Sequence, residues 1–170
     1  GMETGEIGTW LGLILGIPGG IGIAAGGWMA DKLGNRDTRW YLWVVSVALL
    51  IGAPFAFGVY LSDSALAALL FLIVPVALGN FYQATTFSQT QGLATLRMRA
   101  VAAAVLLFII NIIGLGAGPQ AVGIVSDLLS KSYGEDSLRY SLLIFSFFNI
   151  WSAYHFYVAG KYLGNELETD

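Results

Sequence analysis

The chain has no cysteine, one histidine and few charged residues, which make up only 11% of its 170 positions. The lack of cysteine excludes disulfides, thiolate metal sites and cysteine nucleophiles. With one histidine and no Gly-Lys-Ser/Thr phosphate loop, the sequence predicts no enzyme, no metal and no cofactor. The net charge of −3 without a run of like charges offers no basic patch, so we expect no nucleic-acid partner.

Apolar residues and glycine take the place of charge. Hydrophobic residues make up 56% of the chain, glycine occurs 22 times and the mean hydropathy is +0.72. Such values lie far from those of soluble domains. We therefore expect an integral membrane protein with the lipid bilayer as a partner, located in the bacterial inner (plasma) membrane.

Five uncharged runs reach the roughly 20 residues that a helix needs to cross about 30 Å of hydrocarbon. They show no alternation of period two, so membrane strands are not expected. The sequence predicts an all-α membrane protein with five transmembrane helices joined by short loops. The predicted spans are residues 7–30, 40–62, 65–89, 100–126 and 140–160.

Basic side chains divide unequally between the two ends of these spans. Six fall on one side, namely Lys32, Arg36, Arg39, Arg97, Arg99 and Lys161, whereas Lys131 and Arg139 fall on the other. Because cytoplasmic loops are rich in Lys and Arg, the first group predicts the cytoplasmic face. The C-terminus is then cytoplasmic.

An internal repeat links the first and fourth spans. Residues 17–31 align without a gap with residues 113–127, and the identical pairs include Gly20/Gly116, Gly27/Gly123 and Asp31/Asp127. Two spans that lie three helices apart run in opposite directions. The alignment therefore predicts inverted-topology repeats of three helices each, although glycine-rich helices also match by composition alone.

The charged turn after the first span carries a motif. Gly27-x-x-x-Asp31-Lys32-x-Gly34-x-Arg36 resembles the cytoplasmic signature of the major facilitator superfamily, which follows the second and the eighth of its twelve helices. The resemblance implies that the chain holds helices eight to twelve, an incomplete C-terminal six-helix half. Its partner would then be the missing N-terminal half of the same transporter, and the isolated chain would be inactive.

A second motif lies in the fourth span. Gly114-x-x-x-Gly118-Pro119-x-x-x-Gly123 resembles the glycine-proline signature of the same superfamily, and Asp127 follows it. Glycines at such spacing allow helices to approach closely, and Pro119 permits a kink. The stretch 97–100 with residues 111–127 is similar to the spinster-like branch.

This resemblance implies a secondary active transporter that moves a small organic or lipid-like amphiphilic solute by alternating access. Two alternatives stay open. One is a major facilitator transporter of another branch, for small organic anions or drug efflux. The other is a membrane scaffold fragment that does not transport.

Asp31 lies at the end of a predicted helix, where a carboxylate is unfavourable against the helix dipole unless it has partners. Lys32, Arg36 or donors on a neighbouring helix would serve. A charge pair there would act as a cytoplasmic gate by stabilising one access state. The alternative is a solvated turn with basic residues.

Polar side chains at membrane depth are costly in lipid and tend to face a cavity. Asn80, Gln83 and Phe87 recur at helical spacing in a polar run, and Asn111 lies in the middle of the fourth span. We predict that these four line the substrate path, with interhelical hydrogen bonding as the alternative. Asn149 and His155 are weaker candidates.

Overall fold

This computed structural model describes residues 3–167, with side chains up to residue 164, and its regular secondary structure is entirely helical. No strand occurs in that range. The elements are α1 (Thr4–Gly34), α2 (Trp40–Leu61), α3 (Ala65–Gly79), α4 (Phe81–Gly92), α5 (Arg99–Ile109), a π-helix (Ile110–Ala117), α6 (Gly118–Tyr133), a 3₁₀ turn (Gly134–Asp136) and α7 (Ser137–Leu167). The chain end at residue 170, whose cytoplasmic position the sequence predicts, lies outside the described residues.

Four helical stretches within the described residues are long and apolar enough to cross a membrane, whereas the sequence predicted five. The difference arises in the last stretch, Arg99–Gly164, which joins the predicted spans 100–126 and 140–160. The predicted loop between them is itself helical, because α6 continues to Tyr133 and a 3₁₀ turn follows at once. α6 therefore continues past residue 126, where we expected the fourth span to end, although Asp127 and Lys131 are charged.

The last stretch nevertheless folds back on itself at Gly134. This glycine has φ of +55°, a conformation that side-chain-bearing residues rarely adopt. Beyond it, the Ser141 hydroxyl donates to the Val122 carbonyl at 2.7 Å, and the rings of Tyr133 and Tyr140 lie 4.4 Å apart. α6 and α7 thus pack side by side.

The predicted span 65–89 is also interrupted, since α3 ends at Gly79 and α4 begins at Phe81. Pro75 has no backbone N–H to donate within α3. One turn later the Asn80 amide Nδ2 donates to the Val76 carbonyl at 2.7 Å, which also accepts from the Asn80 backbone N–H at 3.3 Å, and the Gln83 N–H then donates to the Asn80 carbonyl three residues back. The break falls at Asn80, one of the predicted path residues.

α2 lies at the centre of the bundle and packs against α1, α3, α4 and α7. The core cluster where these helices meet consists of Ala30, Val44, Val45, Ala48 and Phe81. Many large apolar side chains are exposed elsewhere, and Ile17 on α1 and Leu115 on the π-helix are 60% and 74% exposed. Apolar surface on that scale suits contact with lipid or further protein.

Glycines let α1 approach α3 and α4 at backbone distance. A Cβ added at Gly22 would meet the carbonyl oxygen of Ala77, and one added at Gly26 would lie 2.6 Å from the Cα of Phe81. Gly19 is buried on the same face. Small residues at helix interfaces are the usual means of close packing in membranes.

Polar side chains of α2 fasten it to α7. The buried Ser46 hydroxyl donates to the Ala153 carbonyl at 2.7 Å, and the Trp43 indole N–H donates to the Tyr157 carbonyl at 3.0 Å. Gly160 makes room for the Trp43 ring. Because Gly164 meets Thr38 in the same way, the C-terminal part of α7 lies at the end of the bundle that holds the 35–39 turn.

We call that end the basic end, because it carries Lys32, Arg36, Arg39 and Lys161. At the opposite end, the Arg139 guanidinium donates to the Tyr60 carbonyl and pairs with Asp63 at 3.2 Å. Tyr60 lies in the last turn of α2, where carbonyls lack helical partners and favour a cation. Arg139 therefore caps α2 and joins α7 to the α2–α3 turn.

Candidate functional site

The charged motif spans the last turns of α1 and the turn that follows it. α1 continues to Gly34, so Asp31 lies in its final turn, and its side chain is exposed. Within the described residues the ion pairs are Arg39–Asp37, Arg139–Asp63 and Arg139–Asp136, and none includes Asp31. The structure therefore does not bring Asp31 into a pair with Lys32 or Arg36.

The other motif residues have their own contacts. The ammonium of Lys32 lies 4.7 Å from the centre of the Trp28 ring, a cation–π geometry. Gly34 is buried against the ring of Tyr41, which would lie 2.6 Å from an added Cβ. Arg36 is exposed. Gly34 thus sets the close approach of α1 to α2.

Asp31 faces α4 across a small polar cavity of about 120 Å³. Gly27 and Asp31 line it from α1, and Ser88 and Gln89 line it from α4. A space of this size with several polar walls is suited to ordered water, which occupies about 30 Å³ per molecule in the liquid. The structure therefore places hydrogen-bonding side chains of a neighbouring helix beside Asp31.

Sequence reasoning missed Ser88 and Gln89 as neighbours of Asp31. The signal was present, because Phe81, Thr85 and Gln89 follow one another at a spacing of four, and all three are buried. That spacing defines the face of α4 that packs against the core. Ser88 borders the same face.

The predicted path residues of α4 lie on a different face. At about 100° per residue, Gln83 and Phe87 point to the side of α4 opposite the buried row of Phe81, Thr85 and Gln89. Both are half-buried. Asn80 lies at the break before α4, where its amide is 3.4 Å from the position of a Cβ on Gly19.

The remaining path candidates are not brought together with these residues. Asn111 lies on the exposed π-helix, and its amide donates to the Leu107 carbonyl at 2.7 Å. On α7, the Asn149 amide donates to the Ser146 carbonyl at 3.2 Å. His155 lies 3.0 Å from the Trp151 carbonyl and reaches the cavities beside α7.

The glycine-proline motif surrounds the π-helix of the fourth span. Gly114 lies within the π-helix, and Gly118 and Pro119 begin α6. A proline so near a helix start leaves earlier carbonyls without a donor, which explains the wider turn before it. Added Cβ atoms at Gly114 and Gly123 would meet nothing within 4 Å, and Asp127 is exposed. Within the described residues, these glycines are therefore not close-packing sites.

Three cations at the basic end lie over aromatic rings of their own helices. Lys32 does so with Trp28, Arg39 lies 5.9 Å from the Trp43 ring, and Lys161 lies 4.5 Å from the Tyr157 ring. Tryptophan and tyrosine are enriched at membrane interfaces, and flanking cations anchor there too. No group of three or more His, Cys, Asp or Glu within residues 3–167 could hold a metal ion.

No family model matches the chain. It is 35% identical over 144 residues to an MFS-type efflux pump of Mycolicibacterium smegmatis, an alignment that covers 85% of this chain and 33% of the pump. This similarity supports membership of the major facilitator superfamily. The chain spans about a third of the length of that relative.

With four long apolar helices, the similarity also supports an integral membrane protein. The MFS signature predicted around Asp31 therefore lies in a chain that has an MFS relative.

Proposed function

We propose that the chain is part of a major facilitator transporter that moves a small amphiphilic solute across the membrane by alternating access. The observation that carries this proposal is the similarity to an MFS-type efflux pump over 144 residues, joined to the charged motif around Asp31. In this proposal the chain supplies helices eight to twelve as five spans, with α6 and α7 as separate spans joined at Gly134.

Two observations point to different branches of the superfamily. Sequence likeness at residues 97–100 and 111–127 favours the spinster-like branch and a lipid-like solute. The relative, however, is named an efflux pump, which favours a second candidate, an exporter of drugs or small organic molecules. Both candidates use the same architecture, so substrate selection distinguishes them.

The path in this proposal runs along the face of α4 that carries Gln83 and Phe87. That face points away from the core, and a polar amide beside an aromatic ring suits a solute with both polar and apolar parts. Asn80 at the helix break and Asn111 on the π-helix would extend the path. The missing N-terminal half would form the opposite wall.

Asp31 acts as the gate in this proposal. It lies near the negative end of the α1 dipole, where an unpartnered carboxylate is unfavourable. Ser88 and Gln89, across the small cavity, offer hydrogen bonds when α1 and α4 close together. Hydrogen bonds to a charged group stabilise by about 1.5–3 kcal/mol, so their loss would favour the state open to the cytoplasm.

The transport proposal is tested with the full-length protein in proteoliposomes. A fluorescent lysophospholipid analogue and the dye ethidium serve as the two solutes. Saturable movement of the lysophospholipid supports the lipid-like substrate, and movement of ethidium alone supports the drug exporter. Gln83→Leu should reduce the movement, because it removes the amide from the proposed path. If neither solute moves against the protein-free control, the proposal is wrong.

The gate is tested with Asp31→Asn in the full-length protein. The chain contributes no cysteine, and once any cysteines elsewhere in the full-length protein are replaced, single cysteines introduced on the cytoplasmic side report access. We expect a roughly tenfold or larger rise in the ratio of cytoplasm-open to closed protein. Asp37→Asn in the same turn is the control. An unchanged ratio for Asp31→Asn would contradict the gate.

A further inference from the structure

A second cavity, distinct from the proposed path, opens at the basic end between α2, α4 and α7. Its volume is about 280 Å³, and its wall is mostly apolar, with Leu42, Phe156 and Leu163 among the lining residues. Small-molecule sites begin near 300 Å³.

Gln89 supplies a polar group to this wall. The residue is only 9% exposed. Within residues 3–164, no side-chain hydrogen bond involves its amide, and the residue lines both this cavity and the one beside Asp31. Because a buried amide without partners is unfavourable, Gln89 is suited to receive a ligand group that both donates and accepts.

His155 adds an acceptor from the other side of the cavity. Its Nδ1 lies 3.0 Å from the Trp151 carbonyl, which can only accept, so Nδ1 is the donor in this hydrogen bond. In the imidazole tautomer that carries its hydrogen on Nδ1, the other nitrogen, Nε2, is a hydrogen-bond acceptor. The lining residues include no Asp, Glu, Lys or Arg, so the wall offers nothing to balance a charged head group.

Thr86 sets this wall apart from the adjoining face of α4. The Thr85 hydroxyl donates to its own helix, at 3.0 Å from the Phe81 carbonyl. The Thr86 hydroxyl is buried at the cavity wall and has no hydrogen-bond partner among the described residues. This hydroxyl oxygen is sealed from the cavity, so the polar group that α4 offers to a ligand there is the Gln89 amide.

We propose that this cavity binds a neutral single-chain amphiphile from the membrane, with its hydroxyl head at Gln89 and His155 and its chain along Leu42, Phe156 and Leu163. The hydroxyl donates to His155 Nε2 and accepts from the Gln89 amide. The site is separate from the transport path, since Gln83 and Phe87 point to another side of α4. It does not depend on the proposed function.

The test uses the full-length protein in nanodiscs with a photoreactive octanol, 3-azioctanol, which has the nine non-hydrogen atoms of octanol plus the diazirine nitrogens. Adducts are mapped by mass spectrometry. We expect saturable labelling of the cavity residues that excess 1-octanol prevents and n-octane does not. Labelling spread evenly over lipid-facing residues, or equal competition by octane, would overturn the proposal.

Variants test the head-group contact, and because Gln89 also lines the cavity beside Asp31, Ser88→Ala is the control for that neighbouring cavity. Gln89→Leu should weaken labelling about 2- to 10-fold for the loss of one neutral hydrogen bond, and Gln91→Leu on the same helix should not. Ser88→Ala alters the cavity beside Asp31 only and should also have no effect. Ala159→Trp fills the amphiphile cavity from α7 and should abolish labelling. This variant tests the site even if Gln89→Leu does not fold. Equal labelling of the Ala159→Trp and unaltered proteins would refute the site.

Discussion

Replacing Gly22 with alanine should separate α1 from α3. The new Cβ would meet the carbonyl oxygen of Ala77 and lie 2.8 Å from its carbonyl carbon and 3.1 Å from its Cα. These are backbone atoms, so no side-chain rotation relieves the clash. Only a shift of one whole helix would make room.

The magnitude follows from two opposing terms. Overpacking a well-packed core costs about 1–3 kcal/mol, and a clash with backbone belongs at the upper end. Glycine to alanine within a helix otherwise stabilises by roughly 0.5–1 kcal/mol. We therefore expect Gly22→Ala to lower the free energy of unfolding by about 2 kcal/mol.

Gly20→Ala is the matched control. Gly20 lies two residues away on the same helix, and an added Cβ would meet nothing within 4 Å. It receives the same helix-propensity gain without the clash. The two variants should thus differ by about 3 kcal/mol, or roughly a hundredfold in the ratio of folded to unfolded protein.

The assay is reversible unfolding of the full-length protein in mixed micelles, as the fraction of SDS is raised and helicity is followed by circular dichroism. Gly22→Ala should unfold at a lower SDS fraction, and Gly20→Ala at the same or a higher one. Equal midpoints for the two variants would refute the reasoning, because they would mean that α1 does not lie against the Ala77 backbone.

Two further changes test the opposite end of the bundle by the same assay. Arg139→Gln removes the cap on the Tyr60 carbonyl and the pair with Asp63, and should lower the free energy of unfolding by about 1 kcal/mol. Arg139→Lys keeps the charge and should lower it by less. Equal losses for the two variants would contradict the capping geometry. In Gly134→Ala the new side chain meets no neighbouring atom, but the residue must adopt φ of +55°, so the free energy of unfolding should fall by about 1–3 kcal/mol. Gly123→Ala lies in open space and should not lower it. A Gly134→Ala variant as stable as the unaltered protein would show that the turn has another conformation.

The apolar runs predicted most of the helices, since length and hydropathy dictate them directly. They did not predict the ends. Asn80 interrupts a run that contains no charge, and its side chain shares the Val76 carbonyl with its own backbone N–H. Residues 127–133 stay helical although Asp127 and Lys131 are charged, because that part of α6 packs against α7. Both outcomes depend on local hydrogen bonds and tertiary contacts that a hydropathy pattern does not contain.

The candidate site was predictable in part. Asp31 was recognised from its motif, and the need for donors followed from the helix dipole, but Ser88 and Gln89 became evident only once α1 and α4 were packed together. The sequence repeat did not predict how the aligned glycines pack. Gly22 and Gly118 align in sequence, yet only Gly22 packs closely against another helix, because among the described elements the π-helix before Gly118 contacts chiefly α5 and α6, its neighbours in the chain.

The three cation–ring pairs of the basic end have a mechanical consequence. Each cation lies four residues from its ring, Lys32 and Lys161 on the same helix and Arg39 directly before α2, so the helix that carries the ring sets the depth of the cation. α1, α2 and α7 are therefore anchored at one common level of the interface. In a thinner or thicker bilayer no single helix can slide to relieve the mismatch, and the bundle should tilt or deform the lipid as one body.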